Sequence, residues 1–302
     1  MNSILTRSPE KTVVRKATLV VFCALLSFSF SAQASLIVNG SFDNQGATAG
    51  FLPSGTSNLP GWTIGAGDSG GYTFLVEPGQ AGVRLDSESS PSEWPNIALW
   101  DIDHPGRDGF TGQYNGTHSI PATSPAGGNF IASDSGFRLT TLYQEITGLE
   151  VGANYKLSFW QAAGQQNNRE GNTVDLWRVS WGGVLGTVTD ITLPNDFSHT
   201  GLPGEVYSYD STEIISGGDV RESEMMLVDS FGFADWKKQT MIFTAADTKQ
   251  LLGFMALGGP GSQPPFALLD GVELTQVPLP GSLLLMLLGL PMIMRRRRAT
   301  QA

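Results

Sequence analysis

Residues 142–159 have the sequence LYQEITGLEVGANYKLSF, which indicates two β-strands joined by a turn. In the second strand Tyr155, Leu157 and Phe159 fall on one face, and Trp160 falls on the other. Alternation with a period of two is typical of a strand that buries one face. This stretch therefore predicts an antiparallel sheet with its core on the side of the aromatic and leucine residues.

Further short strands are predicted on both sides of this stretch, and no helical periodicity of useful length lies between the two chain termini. Prolines and glycines interrupt the alternation near 77–128, and 194–235 is a second, acidic region without regular alternation, so we expect irregular insertions at both. This pattern predicts an all-β fold over 35–276, an antiparallel β-sandwich of the jelly-roll type, with two small β domains as the alternative. The other predicted strands are 36–38, 72–76, 97–100, 130–133, 173–181, 186–193, 239–243, 251–256 and 267–275.

The first 34 residues have the features of a secretory signal peptide. Four basic residues precede an apolar run from Ala17 to Phe30, and Ala32 and Ala34 fit the small-x-small cleavage pattern. We therefore expect a signal helix that is handled by the general secretion machinery and signal peptidase, with a mature chain that begins at Ser35. An uncleaved N-terminal anchor is the alternative.

The residues that remain after both terminal segments are removed are strongly acidic and contain no cysteine. Cys23, the only cysteine, lies in the predicted signal, so the mature chain has no disulfide and no Cys-ligated metal. Removing four basic residues at each end and Glu10 leaves 10 basic and 27 acidic residues, a net charge near −17. Nucleic-acid binding relies on clustered Lys and Arg, so this charge excludes nucleic acid as an expected partner.

Residues 277–302 combine a Pro-rich box, a short apolar segment and a basic cluster. The apolar run from Leu283 to Met294 is shorter than the ~20 residues of a relaxed membrane span. The arginines that follow it favour a cytoplasmic C terminus for a short transmembrane helix. The box is Val277, Pro278, Leu279 and Pro280, and the basic cluster is Arg295, Arg296, Arg297 and Arg298.

This tail resembles the PEP-CTERM sorting signal, with Leu279 where that family usually has Glu. The resemblance implies an exported protein of a Gram-negative, polysaccharide-producing bacterium. Its tail would anchor it transiently in the inner membrane until exosortase, a membrane protease-transpeptidase, cuts near the Pro box. The protein would then reach the cell surface or the extracellular matrix. A plain C-terminal membrane anchor is the alternative.

The body is similar to the galactose-binding-like jelly rolls found among carbohydrate-binding modules. The matching pieces occur in the family's order at 36–43, 59–62, 142–159 and 264–272. In such jelly rolls an acidic residue after the first strand and one near the last often join a structural calcium site. The resemblance thus implies calcium at Asp43 and Asp270, whose oxygen ligands suit this ion. A turn-capping role for Asp270 is the alternative.

Aromatic and polar side chains supply a candidate carbohydrate site. Aromatic faces stack on pyranose rings, and Asn, Gln and Arg side chains hydrogen-bond to sugar hydroxyls. For Trp160, packing within the protein is the alternative to a ligand platform. The candidate ligand residues are Trp160, Gln165, Asn167, Arg169, Trp94 and Trp100.

Together these features predict an exported, non-enzymatic protein that associates with exopolysaccharide through carbohydrate binding. Similarity of fold does not by itself transfer sugar binding, so the ligand is an expectation that rests on the resemblance. Two alternatives remain open. One is a secreted polysaccharide hydrolase, because carboxylates are plentiful, and the other is a structural matrix protein without a ligand.

Overall fold

Fourteen β-strands and no helix make up the part of the chain that the computed structural model describes. That part is residues 34–44, 49–55, 57, 59–67, 71–81, 97–99, 123–167, 169–192 and 206–278, with only the backbone described for 206–211. The strands are β1 Gly50–Leu52, β2 Thr63–Ile64, β3 Thr73–Val76, β4 Phe130–Asp134, β5 Thr141–Thr147, β6 Asn154–Gln165, β7 Thr173–Trp181, β8 Val184–Thr192, β9 Val206–Ser216, β10 Asp219–Glu222, β11 Met226–Val228, β12 Phe233–Thr244, β13 Lys249–Gly259 and β14 Pro265–Gln276.

These strands form two antiparallel sheets and one ribbon. Sheet 1 has the order β1-β3-β4-β14-β6-β12. Sheet 2 has the order β10-β7-β13-β5-β2, and β11 also pairs with β7. The ribbon consists of β8 and β9 alone. The described residues from Ser35 onward belong to one compact unit.

The main core lies between the two sheets, as the alternation in β6 predicts. Tyr155, Leu157 and Phe159 are buried in it, whereas Trp160 on the opposite face of β6 is half-buried. Sheet 2 contributes Trp177 and its neighbours from the other side. A second apolar cluster covers part of the outer face of sheet 1, and a third lies between sheet 2 and the ribbon. The all-β, antiparallel sandwich is therefore confirmed.

Three local predictions are wrong. Residues 36–38 are not a strand, because the Val38 backbone bonds to the side chain of Gln144 and not to a neighbouring strand. Of the predicted strand 97–100, the described residues 97–99 contribute an isolated bridge between Leu99 and Gln166. The expected irregular insertion at 194–235 contains β9, β10 and β11. Its strands were missed because β10 is exposed throughout and the ribbon buries little, so hydrophobic alternation is weak.

The two predicted terminal helices lie outside the described residues, as do Ala32, Leu279, Pro280 and the arginines of the tail. Within the described ranges, no helix is both long and apolar enough to cross a membrane. Ala34 begins the described chain, and Val277 and Pro278 end it, with Val277 N donating to Asn154 O at 2.7 Å. Signal cleavage and tail sorting remain predictions.

Candidate functional site

A cleft of about 530 Å³ lies between the outer face of sheet 2 and the β8–β9 ribbon, and we call it the ribbon cleft. Its base comes from β5, β7 and β13, its roof from the ribbon, and one wall from β10. This volume is within the range of small-molecule sites in proteins, about 300–1,000 Å³.

The ribbon is held over sheet 2 by apolar packing and by backbone bonds. Ile191 of β8 packs with Leu176 and Met255, which project outward from sheet 2. Gly253 of β13 leaves room for Ile215 of β9. A Cβ at position 253 would lie only 2.6 Å from Ile215 Cδ1. Position 253 must therefore stay small for the ribbon to sit where it does.

A second set of contacts fixes the C-terminal part of β9, the return strand of the ribbon. Glu213 N donates to Ala66 O at 2.7 Å, and Ala66 N donates to Glu213 Oε2 at 3.1 Å. Thr141 Oγ1 donates to the carbonyl of Glu213 at 2.8 Å. Burial, and then the charge of Glu213, raises the pKa of Tyr143, so this phenol is neutral and remains a hydrogen-bond donor near the ribbon.

Charged and hydroxyl groups line the ribbon cleft beside apolar side chains that come mainly from the ribbon. Arg178 donates through Nε and Nη2 to Glu222 Oε1, at 3.2 and 2.8 Å, and through Nη2 to Thr192 O at 3.4 Å. Both side chains of this ion pair are partly exposed, at 28% and 36%. Ser180 adds a hydroxyl from the same face of β7. This lining suits a neutral ligand with one apolar face and several hydroxyls.

The carboxyl groups with strongly raised pKa values do not line the ribbon cleft. Burial raises the pKa of Asp134 and Asp175 well above the ordinary value, and raises the pKa of Asp270 to about 7. A glycoside hydrolase needs a general acid with a raised pKa beside the scissile bond. Asp134, Asp175 and Asp270 are thus not placed to act as such an acid in the ribbon cleft.

The sequence interpretation missed the residues of the ribbon cleft. A partial signal was present, because Arg178 and Ser180 alternate with the core residues Trp177 and Val179 along β7 and so belong to its outer face. Nothing in the sequence indicated that the ribbon folds over that face, because this depends on contacts between segments far apart in the chain.

Trp160 lies on the outer face of sheet 1, away from the ribbon cleft. Its ring rests on the backbone of β14, where a Cβ at Gly271 would be 3.0 Å from Trp160 Cδ1. Lys238 Nζ lies 5.9 Å from the ring centre and 3.8 Å from Glu273 Oε2. The indole is thus half-buried, with charged side chains around its exposed edge.

Among the other candidate carbohydrate residues that the structure describes, Gln165 does not share a face with Trp160. Gln165 lies an odd number of positions from Trp160 on β6, so it projects from the opposite face. It is 0% exposed, and its amide donates to Gly171 O at 3.0 Å and accepts from Phe231 N at 3.3 Å. Asn167 is buried, and Arg169 is exposed. Trp94 and Trp100 lie outside the described residues, and ligand binding by this set remains a prediction.

The predicted calcium ligands lie close together at a bulge of β14. Asp270 is 0% exposed, and its Oδ2 has no hydrogen-bond partner among the described residues. Burial raises the pKa of Asp270, and the nearby charge of Asp43 raises it further. Hydrogen bonds from Ser124 and Gly271 lower this pKa and offset part of the rise. An orphaned buried oxygen beside a second carboxylate fits a hard cation.

The loop that contains Gly128 and Asn129 packs closely against the Asp43 carboxylate. Its Oδ1 accepts from Asn129 N at 2.6 Å, and a Cβ at Gly128 would lie 2.0 Å from that oxygen. Gly128 also has a φ of +73°, so glycine is required there. No group of three or more His, Cys, Asp and Glu side chains forms within the described part of the chain. Calcium here would therefore need hydroxyl, carbonyl or water ligands in addition to Asp43 and Asp270.

No family model and no curated protein matches this chain. Solved structures with a similar arrangement include TmCBM61 in complex with β-1,4-galactotriose, 13% identical over 81% of this chain and 99% of that one, with a TM-score of 0.36. A CBM4 structure is 13% identical over 80% and 99%, with a TM-score of 0.30. The K1 cleaved adhesin domain of Lys-gingipain from Porphyromonas gingivalis W83 is 15% identical over 79% and 96%, with a TM-score of 0.33. Carbohydrate-binding modules are thus among the structural neighbours, at similarities too low to assign a family or a ligand.

Proposed function

We propose that this protein is a non-catalytic, carbohydrate-binding β-sandwich and that the ribbon cleft is its binding site. The observation that carries the proposal is the lining of the ribbon cleft, which combines apolar side chains, mainly from the ribbon, with Arg178, Glu222 and Ser180. A sugar ring has the matching surface, since its C–H face is apolar and its edge carries hydroxyls. The volume of about 530 Å³ suits a segment of one or two sugar residues.

We further propose that the chain is exported, sorted by exosortase and associated with exopolysaccharide. The signal-like N terminus, the box at 277–280 and the arginines at 295–298 support this destination. Mass spectrometry of the mature protein in its native host tests it. We expect an N terminus at Ser35 and loss of the arginine cluster. A mature protein that retains Arg295 to Arg298 would contradict exosortase processing and leave the plain-anchor alternative.

The carbohydrate proposal is tested by binding to a glycan array, followed by calorimetric titration with the best glycan. We expect Arg178→Ala to weaken binding about tenfold or more, because a charged donor to a hydroxyl is lost. The matched control is Arg221→Ala. Arg221 lies beside Glu222 on β10, but it pairs with Asp219 at 2.8 Å and does not line the ribbon cleft. Binding by the control should equal that of the parent.

Two further measurements distinguish the ribbon cleft from a site at Trp160, and a binding protein from a hydrolase or a structural protein. Trp160→Ala should leave the affinity unchanged if the ribbon cleft is the site, and a loss confined to this variant would move the site to sheet 1. Release of reducing sugars from the native polysaccharide would establish a hydrolase. The absence of binding across the array would favour a structural matrix protein.

A further inference from the structure

Two acidic side chains, one from each sheet, are buried near each other. Asp134, the last residue of β4, is 1% exposed, and Asp175, on β7, is 0% exposed. Ser135 connects them, since its hydroxyl donates to Asp175 Oδ1 while the adjacent Asp134 accepts through Oδ1 from Gly136 N at 2.9 Å. The turn after β4 therefore positions the Asp134 carboxylate and also hydrogen-bonds the Asp175 carboxylate.

Three oxygen atoms in this region have no hydrogen-bond partner among the described residues. They are Asp134 Oδ2, Asp175 Oδ2 and Thr173 Oγ1. Thr173 is 0% exposed and lies two positions from Asp175 on β7, so both side chains project from the same face of that strand. Buried polar atoms nearly always have partners, so these orphaned oxygens point to a ligand that the described polypeptide does not supply.

The charge of the pair also lacks compensation. None of the ion pairs among the described residues includes Asp134 or Asp175. Protons would remove the charge but would leave Thr173 Oγ1 without a partner. A divalent cation would balance both charges and offer a partner to every orphaned oxygen.

The backbone of β13 packs closely against Ser135. Gly258 N donates to Ser135 O at 2.7 Å, and a Cβ at Gly258 would lie 2.1 Å from Ser135 Oγ. We propose that Asp134, Asp175, Ser135 and Thr173 bind a hard divalent cation of the calcium class, which ties sheet 1 to sheet 2 at this end of the sandwich. The described residues contain no cysteine, so a cation provides the cross-link that a disulfide does not.

This site is separate from the one at Asp43 and Asp270. Asp134 pairs with Phe266 on β14, and Asp270 lies four positions further along that strand. At about 3.3 Å per residue, the two positions are about 13 Å apart. The proposal is also independent of carbohydrate binding, because none of its four residues lines the ribbon cleft.

Counting bound calcium tests the proposal. The purified protein is stripped with EDTA, exchanged into metal-free buffer and titrated with Ca²⁺ alone, with bound metal measured by mass spectrometry and unfolding followed by calorimetry. We expect Asp175→Asn to bind one Ca²⁺ fewer per chain than the parent. Asp43→Asn should retain the ion held by Asp175 and its effect on the melting temperature. Equal calcium in the parent and Asp175→Asn, or none in Asp43→Asn, overturns the proposal.

Thr173→Val keeps the test decisive if Asp175→Asn does not fold. Valine preserves the shape and removes only the hydroxyl, so we expect calcium affinity at this site to fall about tenfold. The matched control is Thr212→Val on β9. Thr212 is also 0% exposed with an unpartnered Oγ1, but it lies on the ribbon and far along the chain from the acid pair. Equal affinities in Thr173→Val and Thr212→Val count against the site.

Discussion

Replacing Trp177 by alanine is expected to lower the free energy of unfolding by about 3–5 kcal/mol. Its side chain is 1% exposed and packs edge-on against Phe254 at a ring distance of 6.2 Å. The indole also bridges the sheets, because Nε1 donates to Leu268 O on β14 at 3.0 Å. Alanine would leave a cavity in the main core and remove the partner of that carbonyl.

Chemical denaturation monitored by circular dichroism measures this effect, with Trp160→Ala as the matched control. Trp160 is the same residue type on the other sheet, but it is half-buried and lies beside Lys238, so its loss should cost far less. Trp177→Phe should fall between the two, because it keeps a ring and loses the hydrogen bond. Similar losses for the Trp177 and Trp160 variants would contradict the placement of Trp177 in the core.

The alternation along 142–159 and 173–181 was sufficient to predict the sandwich. Along 155–159 and 177–181, large apolar residues occupy every second position, and those positions face the main core. Core positions of this kind are set by hydrophobic burial, which the sequence shows directly. The position of the ribbon depends instead on Ile215 meeting Gly253, which no local pattern records.

For the candidate sites too, the sequence predicted some features, and others depend on contacts between distant segments. Asp43 and Asp270 were paired through the resemblance, and they are neighbours in space. Trp160 and Gln165 were grouped because they are close in sequence, although an odd separation on one strand puts them on opposite faces. The buried pair of Asp134 and Asp175 joins two sheets, so only the tertiary structure reveals it.

Replacing Gln144 by leucine is expected to cost about 2–4 kcal/mol and to release the segment at the start of the sandwich. Gln144 occupies a core-facing position of β5, between Leu142 and Ile146. Its amide donates to Val38 O at 3.0 Å and to Gly61 O, and its carbonyl oxygen accepts from Val38 N at 2.9 Å. Leucine fills the space but leaves these backbone groups unpaired.

The matched control is Gln250→Leu on the adjacent strand β13, whose register partner is Ile146. Gln250 is buried to a similar degree, but its carbonyl oxygen accepts only the local Ala246 N, at 2.9 Å. Urea denaturation should therefore show a smaller loss for the control. Hydrogen exchange adds a local measurement, because the Val38 amide should exchange much faster in Gln144→Leu than in Gln250→Leu. Unchanged protection of Val38 would show that β5 does not hold the opening segment and that the non-strand conformation of 36–38 has another cause.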